Sequence, residues 1–392
     1  MFNTEVTNQM SREFITPEKI ITGENALKNA MPYIVSMGRK PLIVTGKVVV
    51  TLPAFKLLIN GLEENGLSYA VFTDITGEPT DVMIKEGLEV YQSNDCDFLI
   101  GIGGGSPLDA MKAIAVMSER GGELRDYMGK EITGDFPPMA AIPTTAGTGS
   151  EATRFTVITD AATDVKMLLK GEKLVPDLAV VDFENTKTSP ESITASTGLD
   201  ALTHAVEAYT SKSAQPLTDS LAVSAVKRIF KYLPIVYKNG SDAKARYEMS
   251  VAALEAGICI NNSSVTIVHG MSRPIGALFH VPHGMSNAML LEKCMAFAKD
   301  GAQERFAELA RAIGAADGET DDAAAADKFV KELGRLCSSC GVPTIAGYGI
   351  DTDEFIRAIP KMAHDALESG SPGNTQRKVT EENIIEIYYS LI

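Results

Sequence analysis

The sequence has no tryptophan, and only five histidines and five cysteines among 392 residues. Cysteines that are few and odd in number argue against a disulfide framework and for a reducing compartment, expected to be the cytoplasm. Cys337 and Cys340 form a lone CxxC with no second pair nearby, and read as two small residues at a helix end. Basic residues are also short. Lys and Arg total 36 against 51 Asp and Glu, a net charge of −15 with no basic cluster, which excludes nucleic acid and anionic membrane surfaces as partners. No apolar run resembles a membrane span of roughly 20 residues. The opening MFNTEVTNQMSREF, acidic early and without an apolar core, is not expected to act as a secretory signal. The absence of G-x-x-x-x-G-K-[ST] leaves a P-loop nucleotide hydrolase unsupported.

What is present divides the chain in two. Pro41–Thr45, Ser68–Phe72, Asp97–Ile102 and Met139–Ile142 are apolar runs bounded by turn residues, the pattern of strands buried on both faces of a parallel sheet. Helical segments such as Ala54–Asn65 and Thr80–Ser93 alternate with them, which predicts a doubly wound α/β domain. Further strand-like runs (Phe155–Thr159, Val165–Leu169, Leu178–Asp182) complete the sheet or form a hairpin beside it. After the polar stretch Glu184–Ser189 the spacing turns helical, as in Asp219–Tyr232, Lys244–Ala256 and Gln303–Ile313. The expected domains are 1–186, α/β and dinucleotide-binding, and 187–392, all-helical, with a ligand cleft between them.

Two loops in the first domain suit a dinucleotide. Gly103-Gly104-Gly105-Ser106-Pro107 follows a strand and opens a helix, where glycines admit a pyrophosphate to free N–H groups. It departs from G-x-G-x-x-G, with Ser106 at the last glycine, and alone it would equally be a tight turn. Pro143-Thr144-Thr145-Ala146-Gly147-Thr148-Gly149-Ser150 is a second small, hydroxyl-rich loop after an apolar run, and the pair favours a cofactor.

Four of the five histidines fall between Gly198 and His283. Asp200 and His204, four apart in GLDALTHAVEAY, share one helical face. His269 and His283 bracket HGMSRPIGALFHVPH, each followed by a glycine (Gly270, Gly284) read as freeing the backbone to aim the ring. A single buried histidine is commonly a core residue, but one carboxylate and three imidazoles suffice for a divalent first-row ion, Fe(II) or Zn(II) alike. With no cysteine in the set, a catalytic rather than structural site is expected.

Together GGGSPLDAMKA, IPTTAGTGSEAT, GLDALTHAVEAY, HGMSRPIGALFHVPHG and the closing VTEENIIEIY resemble the iron-dependent (group III) alcohol dehydrogenases over nearly the whole chain. The resemblance implies a Rossmann-like domain followed by a helical one, and a divalent metal, Fe(II) first and Zn(II) second, on Asp200, His204, His269 and His283. It implies NAD or NADP held at Gly104, Gly105, Ser106, Asp109, Thr144, Thr145, Thr148 and Lys166, with reversible oxidation of a small primary alcohol to its aldehyde. It also implies a homodimer or larger assembly, for which a strand around Phe14–Thr22 could pair across a two-fold axis.

Two positions depart from the family pattern. Many members carry a histidine four residues after His269, thought to help proton transfer, where this chain has Arg273. Arginine cannot act as a base, so the proton must leave through water, a cofactor hydroxyl or a histidine such as His280. Arg273 could instead grip an anionic substrate, such as sulfoacetaldehyde or a short semialdehyde, or pair with Glu207 or Glu255. After the second strand, Gly46 stands where members preferring NAD often have Asp, and the Lys47 beside it could attract a 2′-phosphate. The competing readings are a dehydroquinate-synthase-like lyase, a glycerol-dehydrogenase-like polyol oxidoreductase and a non-catalytic nucleotide or metal binder.

Overall fold

The computed structural model describes residues 11–392. Its strands, in chain order, are β1 (Lys19–Thr22), β2 (Pro41–Val44), β3 (Ala70–Phe72), β4 (Phe98–Gly103), β5 (Met139–Pro143), β6 (Phe155–Asp160), β7 (Val165–Lys170) and β8 (Leu178–Val181). Six form one sheet in the order β1-β8-β5-β4-β2-β3, parallel throughout, while β6 and β7 make an antiparallel hairpin. The apolar runs read from sequence are these strands, and every residue of β2, β4, β5 and β8 is buried.

Burial on both faces follows from the covering helices α1 (Ala26–Met37), α2 (Pro53–Glu64), α3 (Asp81–Ser93) and α4 (Gly105–Arg120). Ile43, Ile100 and Ile142 pack with Leu27, Ile34, Leu58 and Leu62 of α1 and α2. Their strand neighbours Leu42, Leu99 and Ala141 face the other way, onto Ile84 of α3 and Leu108, Met111 and Ile114 of α4. Alternation along each strand thus builds two apolar layers. The chain leaves β2 for β3 on one side and β4 for β5 on the other, so the strand order reverses between β2 and β4. Open parallel sheets take ligands at the carboxyl ends of strands at such a reversal, and Gly46 and Gly103–Ser106 lie there.

The early strand is shorter than expected. It spans only Lys19–Thr22 and pairs within the chain, with β8. The residues before it belong to the helical half: the Ile15 N–H donates to Asn262, and Arg12 donates to the carbonyls of Ser213 and Ala214. A side-chain amide at the end of a helix offers the backbone partners that the sheet edge lacks.

The second half is helical: α5 (Glu191–Thr210), α6 (Pro216–Lys238), α7 (Ala243–Asn262), α8 (Ile267–Phe279), α9 (His283–Ala298), α10 (Gln303–Ala312), α11 (Asp322–Ser339), α12 (Ile345–Tyr348), α13 (Thr352–Glu368) and α14 (Glu381–Tyr389). From Thr194 to Thr210 every residue of α5 but Thr197 is buried, because α6, α7 and α9 surround it. Cys337 lies in the last turn of α11, Cys340 caps it, and all five cysteines are buried and free. Among the described residues no single helix is long and apolar enough to cross a membrane.

Candidate active site

The central helix α5 carries Asp200, His204 and Glu207, spaced four and three apart and so on one face. His269 lies in the first turn of α8 and His283 is the first residue of α9. One ligand atom from each of Asp200, His204, His269 and His283 lies within 4.8 Å of the others. The Nε2 atoms of His204 and His283 stand 3.9 and 3.7 Å from Asp200 Oδ1, and the His204 and His269 rings stack at 4.7 Å. Metal–nitrogen bonds of about 2.0–2.1 Å separate the ligand atoms of one ion by about 3–4 Å, so the donor set fits a single cation.

Burial pushes the His269 imidazole well below its ordinary pKa, and the charges of His204 and Arg273 push the same way. A neutral ring is the form that binds a metal. Burial alone would raise the Asp200 carboxyl, but His204, His283, His269 and the Asn287 amide together hold it below its ordinary value. The cluster therefore offers one carboxylate and neutral imidazole.

Two groups around the cluster escaped the sequence reading. Glu207, named there as a partner for Arg273, is instead taken by α8. Its Oε2 meets His269 Nδ1 at 2.5 Å, and its Oε1 accepts from Thr266 Oγ1 and the Val268 N–H, both at 2.7 Å. That contact turns His269 Nε2 toward the cluster. The other is Asn287, one turn after His283 and fully buried. Its Nδ2 lies 2.7 Å from Asp200 Oδ1 and 3.2 Å from the Nε2 of both His269 and His283, so three acceptors already converge on one point. Asn287 Oδ1 is buried without a partner. Both residues could have been found by extending the helical spacing one turn past His204 and past His283.

The glycines after His269 and His283 do not free the backbone, because both sit inside helices. A Cβ on Gly270 would meet Pro372 at 2.6 Å and one on Gly284 would meet the Ser196 carbonyl at 2.5 Å. They permit close packing of the elements that carry the rings. Arg273 pairs with neither Glu207 nor Glu255. Glu255 is engaged by Ser224 and Arg228, and Arg273 donates only to Ser371 Oγ, at 3.1 Å. His280 is exposed and ends α8 in the left-handed conformation, φ 53°.

The residues expected to hold a cofactor gather at the carboxyl edge of the sheet. Gly103, at φ +149°, turns the chain into α4, and the two small-residue loops meet where a Cβ on Gly105 would stand 2.9 Å from Thr148 Cγ2. Gly104 faces Thr145 in the same way at 3.7 Å. The Thr144 N–H donates to the Gly103 carbonyl at 2.8 Å, and Ser106 is partly exposed in the first turn of α4, where helix N–H groups are free. Asp109 braces the arrangement, accepting from Ser150 Oγ at 2.6 Å and the Val157 N–H at 2.9 Å. A further brace, unforeseen, is Lys112, whose buried Nζ donates to Ser150 Oγ and to the carbonyls of Thr153 and Phe155. Burial pushes Lys112 down to about 8 and the neighbouring Glu151 up to about 7.

Lys166 projects from the open face of the β6–β7 hairpin, paired with Glu78 at 2.7 Å, its Nζ 3.7 Å from where Gly276 of α8 would carry a Cβ. It thus spans from the sheet half to the helical half. Gly46 forms a backbone bridge to Asp74, and a Cβ placed on it would stand 2.8 Å from the Ile75 carbonyl oxygen. Lys47 is not free: it pairs with Asp74 at 2.9 Å.

With this geometry the chain matches two adjoining family models, described as iron-containing alcohol dehydrogenase over residues 17–183 and Fe-containing alcohol dehydrogenase family, C-terminal, over 194–392. It is 36% identical over 381 residues to the NAD-dependent methanol dehydrogenase of Bacillus methanolicus, covering 96% of this chain and 99% of that one. Among solved structures, a 1,3-propanediol oxidoreductase superposes with a TM-score of 0.94 at 33% identity, covering 98% of this chain and 100% of its own. The sulfoacetaldehyde reductase of Bifidobacterium kashiwanohense, in complex with NAD+, gives 0.87 at 28% identity, covering 98% and 99%.

Proposed function

The chain belongs to the iron-containing alcohol dehydrogenase family, oxidoreductases acting on CH–OH groups, and from that premise we propose that it is a metal-dependent, NAD(P)-linked alcohol dehydrogenase or aldehyde reductase for a small primary alcohol or aldehyde. The observation that carries this is the convergence of Asp200, His204, His269 and His283 at α5, the helix against which the second small-residue loop packs, Gly147 at Thr197. These four would hold the cation, Fe(II) first and Zn(II) second. Gly104, Gly105, Ser106, Thr144, Thr145 and Thr148 would hold the dinucleotide phosphates, and Gly46 would border the adenosine. When bound, the cation supplies Lewis acidity and the nicotinamide the two-electron redox chemistry.

The protein's own part is positional. Glu207 fixes the His269 tautomer, Asn287 orients Asp200, Asp109 and Lys112 keep the phosphate loops together, and Lys166 reaches across the cleft. Arg273 cannot take a proton, so proton exchange falls to water or a cofactor hydroxyl, with His280 the exposed imidazole at the end of the same helix. Five free, buried cysteines suit the cytoplasm, and the edge of β1 left unpaired among the described residues suits pairing with a second copy in a homodimer or larger assembly.

Because Lys47 is held by Asp74, no free lysine stands beside Gly46 to attract a 2′-phosphate, which favours NAD over NADP. The test loads the protein with Fe(II) or Zn(II), supplies NADH or NADPH with a panel of short aldehydes, and follows nicotinamide absorbance. Metal-dependent turnover with a higher kcat/KM for NADH is expected. No turnover with any metal would overturn the enzyme reading, whereas a preference for NADPH would overturn only the role given to Asp74.

Asn287 permits a second measurement that needs no turnover. Loss of a group that orients a ligand typically weakens metal affinity by about 10–100-fold. Asn287→Ala should do so in competition with a chromophoric chelator, and an unchanged affinity would remove Asn287 from the centre.

A further inference from the structure

One cation beside the cluster, among the described residues, has no ion-pair partner. It is Arg273, one helical turn beyond His269. The nearby Glu207 spends its oxygens on Thr266, Val268 and His269. Arg273 makes a single hydrogen bond, from Nη1 to Ser371 Oγ at 3.1 Å, and most of its five N–H donors have no protein acceptor. Two other arginines of the helical half spend such donors within the protein. The buried Arg246 donates to the carbonyls of Gly240 and Ser189 and to Thr194 Oγ1, while Arg305 is spent on the Tyr209 carbonyl and Asp219. Arg273 is only partly buried, and its remaining N–H groups keep access to solvent, where a ligand's acceptors can reach them.

The surroundings are shaped for an anion. Gly270 lets the Ser371–Asn374 turn settle directly on α8, which brings Ser371 to the guanidinium. Its hydroxyl accepts from Arg273 and keeps its own proton to donate, so both groups present donors to the same space. His269, Arg273, Gly276 and His280, spaced four, three and four apart, form one stripe along α8. The cation beside Gly276, Lys166, is already paired with Glu78. Arg273 is thus the unneutralised charge on that stripe. One turn of helix displaces it about 6 Å along the axis from His269, the span of a short carbon chain.

We propose that Arg273 and Ser371 form an anion subsite, and that the substrate is a short aldehyde or alcohol bearing a sulfonate or carboxylate about two to four carbons from the reacting carbon. This rests on the cluster being the reaction centre, as inferred above. The reacting oxygen lies at the cluster and the anionic end between the guanidinium fork and the serine hydroxyl. A neutral aldehyde of equal length leaves the guanidinium without acceptors and binds less well.

The experiment compares wild type, Arg273→Ala and Arg273→Lys, each checked for folding by circular dichroism. The substrates are sulfoacetaldehyde and succinic semialdehyde against propanal and butanal. For the preferred anionic aldehyde, kcat/KM should fall about 100-fold or more in Arg273→Ala and recover in part in Arg273→Lys, while neutral aldehydes change by less than about threefold. The two anions separate a sulfonate site from a carboxylate site. An equal fall for charged and neutral aldehydes, a loss expressed in the cofactor KM, or a wild type without preference for anions would each overturn the subsite while leaving the dehydrogenase reading intact. Calorimetry with unreactive ethanesulfonate and butyrate supplies the converse arm. Binding that Arg273→Ala abolishes would uphold the subsite even if no aldehyde were turned over, and binding indifferent to the substitution would overturn it.

Discussion

Asp200→Ala protein should retain its fold but lose its bound metal and at least about a thousandfold in kcat/KM. Asp200 is the one carboxylate in the cluster, buried on a helix that is itself enclosed, and it also accepts the Asn287 amide. Without it three imidazoles would have to hold a dication with no compensating charge, in a setting that already disfavours charge on His269. A Lewis acid is worth several kcal/mol of transition-state stabilisation. Since each 1.36 kcal/mol is tenfold in rate, a loss of about 4 kcal/mol corresponds to about 10³. Metal content by elemental analysis, together with steady-state kinetics, checks both halves. A variant with wild-type metal content and turnover would end the assignment of this cluster as the reaction centre.

A change far from the chemistry should be nearly as damaging. Gly149, at the end of the second small-residue loop, has φ +65° and lies against Gly257 in the second half of α7. A Cβ on Gly149 would stand 2.4 Å from Gly257 Cα, and one on Gly257 would stand 2.7 Å from Gly149 Cα and 2.8 Å from its carbonyl oxygen. Both contacts are with backbone, so no side chain can swing aside. Gly149→Val adds a left-handed backbone cost of about 1–2 kcal/mol to an overpacking cost of about 1–3 kcal/mol. A destabilisation of about 2–5 kcal/mol is expected, or loss of soluble protein. In whatever remains folded, α7 should push the loop outward and raise the cofactor KM. Calorimetric melting and cofactor titration read the two effects separately. A wild-type melting temperature and cofactor KM would mean that this contact can open without cost.

Several features were legible because their cause is local. Apolar runs bounded by turns became buried parallel strands, since each residue needed only to suit a sheet covered on both faces. The four-residue step from Asp200 to His204 put both on one face of α5, and the glycine loop opened α4. The early strand was misjudged in length because Phe14 and Ile15 are as apolar as the strand itself. Nothing in their own sequence reveals that Asn262, about 250 residues on, accepts from the Ile15 N–H, or that Asn261 and Asn262 both donate to the Ile15 carbonyl. Gly270 and Gly284 were misread for a related reason: a glycine needed for flexibility and one needed for a close neighbour look alike until Pro372 and Ser196 are in place.

By itself the sequence determined the fold class, the order of elements, the four metal-ligand candidates and the two candidate phosphate loops, because periodicity and loop chemistry are properties of neighbouring residues. Tertiary packing alone decided that Glu207 serves His269 and leaves Arg273 bare, that Asn287 stands at the point where three acceptors meet, and that Asp74 reaches Lys47. Those pairings join residues brought together by three-dimensional packing, and a buried charge takes whichever partner that packing delivers, at a distance no sequence interval encodes.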